Sequence, residues 1–137
     1  MVATLKRGLN NSFEVIKELG KVLVPVIFLV TFLEHSGVLY ILADYASPLM
    51  RLFGLPGEAA LVLVIGNLTN VYGAIGAILN LELTARQITI VSVMVTISHS
   101  LPSETAIVTK AGAHGRWVLI YRVVASIIFG LFLNLVL

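Results

Sequence analysis

The chain has 137 residues, of which 58% are hydrophobic and only 12% charged, and its mean hydropathy is +1.02. That composition is expected of a single-domain integral membrane protein and excludes a soluble domain or a nucleic-acid-binding module. The formal charge of +2 is too small for a polyanion-binding surface, and the absence of cysteine excludes disulfides, thiolate metal sites and a cysteine nucleophile. A crossing takes about 20 apolar residues, which leaves room for three or four crossings with short connections.

The opening residues, 1 to 21, read as an amphipathic helix on the membrane surface. Leu5, Leu9, Phe13, Ile16 and Leu19 recur at steps of three and four, while Lys6, Arg7, Asn10, Glu14 and Lys17 fall mainly elsewhere. Asn11 with Glu14 three residues on is a candidate helix start. Residues 22 to 137 then form one transmembrane domain. Its first apolar run covers 22 to 42, with Glu34-His35 in the second half, either at the membrane surface or lining an internal cavity. Around Arg51 a short interfacial helix is expected, closed by Gly54-Leu55-Pro56-Gly57-Glu58.

Residues 59 to 79 are the second apolar run, interrupted by Gly66-Asn67-Leu68-Thr69-Asn70. Two asparagines in hydrocarbon must bond across helices or hold a ligand. Gly73, Ala74, Gly76 and Ala77 offer a small-residue face for close helix packing. Thr84 is placed to cap the next helix.

The central run, 87 to 111, is broken by Ser98-His99-Ser100-Leu101-Pro102-Ser103-Glu104-Thr105. Pro102 lacks an N–H and disfavours helix at Leu101, so one helix should end near 98 to 100 and another begin at Pro102, capped by Ser100 or Leu101. The free N–H groups of such a half-helix suit an anionic or polar ligand. The plainer reading is a kinked helix whose polar side chains satisfy its own backbone. Residues 117 to 137 are the last crossing, with Trp117 and Tyr121 as an aromatic belt and Arg122 snorkelling outwards.

Charge decides between two shapes for the central run. A full crossing separates Lys110 and Arg116 from the basic N-terminus, whereas a re-entrant hairpin turning at 98 to 102 returns them to the same side. The hairpin obeys the positive-inside bias better, with the N-terminus cytoplasmic and the chain multi-pass in the inner membrane. The fold class expected is therefore all-α integral membrane, a small helical bundle with interrupted helices and a re-entrant helical hairpin.

The motifs Gly54-Leu55-Pro56-Gly57-Glu58, Gly66-Asn67-Leu68-Thr69-Asn70-Val71-Tyr72-Gly73, Leu83-Thr84-Ala85-Arg86-Gln87 and Ser98 to Thr105 resemble the nucleoside-recognition, or Gate, domain family over residues 20 to 137. Related segments occur in concentrative nucleoside transporters, the ferrous-iron transport protein B and spore maturation proteins A and B. The resemblance implies a ligand-binding or gating unit of the membrane. The transporters carry additional helices and a second repeat, so this single copy implies a homo-oligomer or a second Gate-domain protein as partner.

On this reading the chain is a transport or small-molecule recognition subunit and not an enzyme. Asn67, Thr69 and Asn70 form one wall for a small polar ligand such as a nucleoside, and Ser98, His99, Ser100, Ser103 and Glu104 the other, since amides and hydroxyls both donate and accept. No cofactor is expected beyond a coupling ion, sodium or a proton, at Glu104. The alternatives are a divalent-metal pathway through His99, Glu104, Glu34 and His35, and a non-transporting assembly subunit whose polar breaks hold helices together. An intramembrane hydrolase built on a serine, His99 and Glu104 would need nucleophile and base within hydrogen-bond reach, which neighbours on one segment rarely achieve.

Overall fold

The computed structural model describes the backbone of residues 2–137, and their side chains except those of residues 2–5, 18, 19, 22, 23, 26, 30, 34 and 39. Among the described residues the chain is all-helical, with α1 (Val2–His35), α2 (Val38–Arg51), α3 (Ala59–Leu68), α4 (Val71–Ile78), α5 (Ala85–Ser98), α6 (Leu101–Lys110) and α7 (Gly115–Val136).

Residues 2–21 continue without a break into the rest of α1, so Asn11 does not start a helix. Neither Gly20 nor Pro25 interrupts α1; Ser36-Gly37 ends it, with Gly37 at φ 76, a left-handed backbone that glycine adopts without strain. Leu9, Phe13 and Ile16 are exposed, while Leu5 and Leu19 lie outside the described side chains. The helix expected around Arg51 begins earlier, at Val38, and Gly54 at φ 65 turns the chain into α3 as the Gly-Leu-Pro-Gly motif predicts. Thr84 caps α5 through a reciprocal capping box with Gln87.

α3 and α4 form the hairpin of this fold. Gly66 and Ile65 of α3 lie against Ala74 and Gly73 of α4 near the tip at Thr69-Asn70, while the start of α3 lies by the end of α4, so the arms run antiparallel. At the open end Pro56 and Glu58 share a cleft with Asn80 and Leu81. The four small residues of α4 are all buried, as their spacing predicts. α1 packs along α4, with Thr31 Oγ1 reaching Asn80 Oδ1 at 3.4 Å, so its C-terminal end lies at the open end of the hairpin.

A hairpin turning at residues 98 to 102 is not what forms. α5 and α6 do not pack side by side; they follow one another along α7, which runs antiparallel to both. Arg86 meets Asn134, Ile97 meets Arg122, and Thr105 and Thr109 meet Gly115, a steady progression from one end of α7 to the other. The break itself, with His99 extended and Ser100 left-handed, would allow either course; the physical reason for this one is contact with α7, along which both helices lie. The expected turn-back therefore belongs to α3–α4.

α7 is the one helix among the described residues that is long and apolar enough to cross a membrane by itself. The core lies where α5 meets the hairpin: Ile90, Val91 and Val95 of α5 pack with Val62, Ala59 and Ala77, all fully buried or nearly so. Gly66 allows this approach, since a Cβ there would stand 2.9 Å from a Val95 methyl and 3.0 Å from the Ala74 Cβ. Among apolar surroundings such close packing, and not removal of apolar surface from water, holds helices together.

Candidate functional site

Both helix breaks arise from local chemistry and then meet. In the hairpin tip, Thr69 hydroxyl donates to Ile65 O at 2.7 Å, and Asn70 Oδ1 accepts from Gly73 N–H at 3.0 Å, capping α4. In the second break, α5 ends at Ser98 and α6 starts at Leu101 with Pro102 in its first turn, within a residue of the positions read from the sequence. Ser100 is the N-cap at φ 51, the one left-handed residue other than glycine among those described. What holds it there comes from the hairpin tip. Ser100 N–H donates to Gly66 O at 3.0 Å, and its hydroxyl donates to Thr69 O at 2.8 Å.

Beneath this contact lies a buried polar cluster. Ser98, only 1% exposed, has its hydroxyl 2.8 Å from both Asn67 Oδ1 and Met94 O, and 3.3 Å from the hydroxyl of Ser126. Ser126, 4% exposed, donates to Met94 O at 2.9 Å. Asn67 thus bonds across helices, one of the two uses its position allows. No buried side-chain nitrogen or oxygen among the described residues lacks a partner.

Beside the break, Arg122 of α7 points inward. Its Nε donates to Ile97 O at 2.9 Å, at the C-terminal end of α5, and its Nη1 pairs with Glu104 Oε2. The other Glu104 oxygen lies 3.3 Å from His99 Nδ1, which is itself 3.3 Å from the Ser100 hydroxyl. Glu104 stands in the first turn of α6, at the positive end of that half-helix, while Arg122 stands at the negative end of α5. One ion pair therefore complements both helix ends exposed by the break. The Arg122 side chain is 19% exposed and that of Glu104 39%, so the cluster is half-sheltered and approachable from outside the bundle.

Of the residues expected to bind a ligand, Asn67, Thr69, Asn70, Ser98, Ser100, His99 and Glu104 are brought together at this junction. Several of their polar atoms already bond to protein. Ser103 is exposed on the first turn of α6 and has no hydrogen-bond partner among the described residues. The outward snorkelling expected of Arg122 does not occur, because Glu104 and Ile97 O lie within its reach on the inner face. Sequence reasoning also missed Ser126. The signal was the spacing Arg122, Ser126, Gly130, a polar and small stripe at four-residue steps in an otherwise apolar helix. His35 is exposed, its ring nitrogen 3.0 Å from Thr31 O, and Glu34 lies outside the described side chains. Among the described residues no three histidine or carboxylate groups cluster in a way that holds a metal.

A family model described as Gate, nucleoside recognition, matches residues 16–117. The chain belongs to the Gate family. Both breaks and the ion pair's Glu104 fall within the matched Gate segment, whereas Arg122 and Ser126 lie beyond it. The uncharacterized membrane protein YvoD of Bacillus subtilis (strain 168) is 38% identical over 129 residues, 94% of this chain and 41% of its own length. This Gate chain thus spans about two fifths of that relative. No solved structure matches it. It is a membrane protein carrying a Gate domain.

Proposed function

We propose that this Gate chain is a recognition subunit of a membrane transport system, and that a small polar ligand such as a nucleoside meets it where the two helix breaks touch. The observation carrying this reading is the direct hydrogen bonding of one break to the other, Ser100 to Gly66 O and Thr69 O, beside the half-sheltered Arg122–Glu104–His99 cluster. Interrupted helices that present backbone ends and a charge pair at one depth are the usual construction of transporter sites. Asn67 Nδ2, Asn70 Nδ2 and the Ser103 hydroxyl are the groups left to receive a sugar or base edge, beside the Glu104 carboxylate that Arg122 and His99 hold. A sodium ion or proton would be read at Glu104.

Depth supports the same reading. α5 extends about 21 Å and α3 about 15 Å at 1.5 Å per residue, so the tip and the second break stand well inside a core of about 30 Å. In a bilayer α3–α4 is then the re-entrant hairpin, and α1, α5–α6 and α7 are three crossings. The N-terminus and the 111–114 turn share one face with Lys6, Arg7, Lys110 and Arg116; Arg51 and Arg86 mark the other. The positive-inside bias assigns the first face to the cytoplasm of the inner membrane. Because the junction is half-sheltered and open on one side, a second copy or a partner Gate segment would complete the site.

A thermal-shift series tests this, with nucleosides, sodium and divalent metals added to the purified protein and to Glu104→Gln. A ligand at a hundred times its Kd stabilises by about 2.7 kcal/mol. A nucleoside-specific rise that the substitution abolishes is the expected result. A rise with metal alone would replace this reading by a metal pathway. Absence of any rise would leave the polar breaks as assembly contacts only.

A further inference from the structure

A second concave surface lies beyond the junction, at the turn between α6 and α7. Here Thr109, Ala113, His114, Gly115, Arg116, Trp117 and Ile120 enclose a cleft of about 480 Å³. Gly115 is buried against Thr105 and Thr109, and this close approach draws the end of α6 onto the start of α7. His114 occupies the N-cap of α7 without forming a side-chain cap bond, so its imidazole is not consumed by the helix. Lys110, in the last turn of α6, adds a further cation at the same end.

Along the α6–α7 segment that builds the cleft the charge is one-sided. From residue 105 to the end the sequence contains no aspartate or glutamate, and the nearest carboxylate before that, Glu104, is paired with Arg122. The opposite end of the bundle is mixed, with Arg51 and Arg86 accompanied by Asp44, Glu58 and Glu82. One wall of the cleft is also apolar and aromatic. Trp117 stacks on Tyr121 with ring centroids 6.1 Å apart, and Ile120 continues the wall along α7. Indole and phenol rings of this kind sit at the headgroup level of a bilayer.

We infer that this cleft holds the phosphodiester headgroup of an anionic phospholipid. The phosphate is taken by Arg116 and His114, with Lys110 adding positive charge at the same end of α6, and the first part of the acyl chains lies on Ile120 and Trp117. Guanidinium chelates a phosphate through two parallel N–H donors, while the Thr109 hydroxyl is occupied in donating to Thr105 O at 2.7 Å. A soluble phosphate compound would use the same cations but none of the apolar wall. The lipid is the occupant that fits both walls. This inference is independent of what binds at the helix breaks.

Trp117 is the single tryptophan of the chain, so its fluorescence reports on this cleft alone. The protein is reconstituted into phosphatidylcholine vesicles containing a fixed fraction of either bromine-labelled phosphatidylglycerol or bromine-labelled phosphatidylcholine. Stronger quenching by the anionic lipid is the expected result. Arg116→Gln and Lys110→Gln should each lower its preference about fivefold, the share of one basic side chain at an anionic surface. Arg51→Gln, at the other end, should leave the preference unchanged. Equal quenching by the two lipids in the unmodified protein would overturn the proposal, whatever the variants do. So would an anionic preference that Arg51→Gln removes as readily as Arg116→Gln. Loss of the preference on adding millimolar inorganic phosphate at constant ionic strength would assign the cleft to soluble phosphate.

Discussion

Arg122 and Glu104 each do two things at the second break. Arg122 saturates Ile97 O and neutralises Glu104; Glu104 faces the N-terminal end of α6 and approaches His99. Removing one partner strands the other in a half-sheltered place, and partial exposure keeps the cost below that of a fully buried pair. Arg122→Gln should therefore lower stability by about 1–2 kcal/mol, and Glu104→Gln by a similar amount. The double variant should lose distinctly less than the sum of the two. Denaturant titration of the four proteins measures the coupling, and strict additivity would mean that the pair contributes nothing. Ser100 makes a different demand, because its φ of 51 is costly for any side chain with a Cβ and worst for a branched one. Ser100→Val should unfold more easily than Ser100→Gly by about 1–2 kcal/mol, although both lose the bond to Thr69 O. Equal stabilities would argue that the left-handed turn relaxes in solution.

At the scale of elements, the hairpin and the broken helix are mutually dependent. α5 reaches the hairpin because Gly66 lets a Val95 methyl approach, and that approach puts Gly66 O against Ser100 N–H. The spacing between α3 and α5 thus sets the geometry of the second break. Gly66→Val should cost about 1–3 kcal/mol by overpacking. It should also perturb the break, so that ligand-induced stabilisation falls further than the loss of stability alone requires. Titrating the ligand response of Gly66→Val against that of Ala113→Val, an exposed site remote from the hairpin, separates the two effects. The turn at 54 to 58 and the cap at Thr84 were legible because glycine, proline and the Thr84-to-Gln87 box act within a few residues of themselves. The orientation of α6 relative to α5 was not legible. A proline break permits both a kink and a reversal, and only contact with α7 selects the kink.

For the whole molecule, the path of the chain has a consequence that labelling can read. If α5–α6 crosses, the turns at 80–84 and 111–114 lie on opposite faces; if it folds back, they share one. The chain has no native cysteine, so Glu82→Cys and Ala111→Cys each carry a unique thiol at an exposed position. Membrane-impermeant maleimide applied to sealed, oriented vesicles should modify one and spare the other. Modification of both from the same side would exclude the crossing. The turn-back expected at residues 98 to 102 lies instead at residues 69 and 70. The sequence by itself determined that the chain is helical and apolar, where its helices are interrupted, and which polar residues stand at those interruptions. These follow from composition, periodicity and local turn chemistry, which need no distant partner. The tertiary structure alone decided which interruption reverses the chain, that the two breaks bond to each other, and that Arg122 and Ser126 of α7 join them. Those outcomes rest on hydrogen bonds and an ion pair between residues 18 to 34 positions apart, and no local pattern encodes which partner a buried polar group will find.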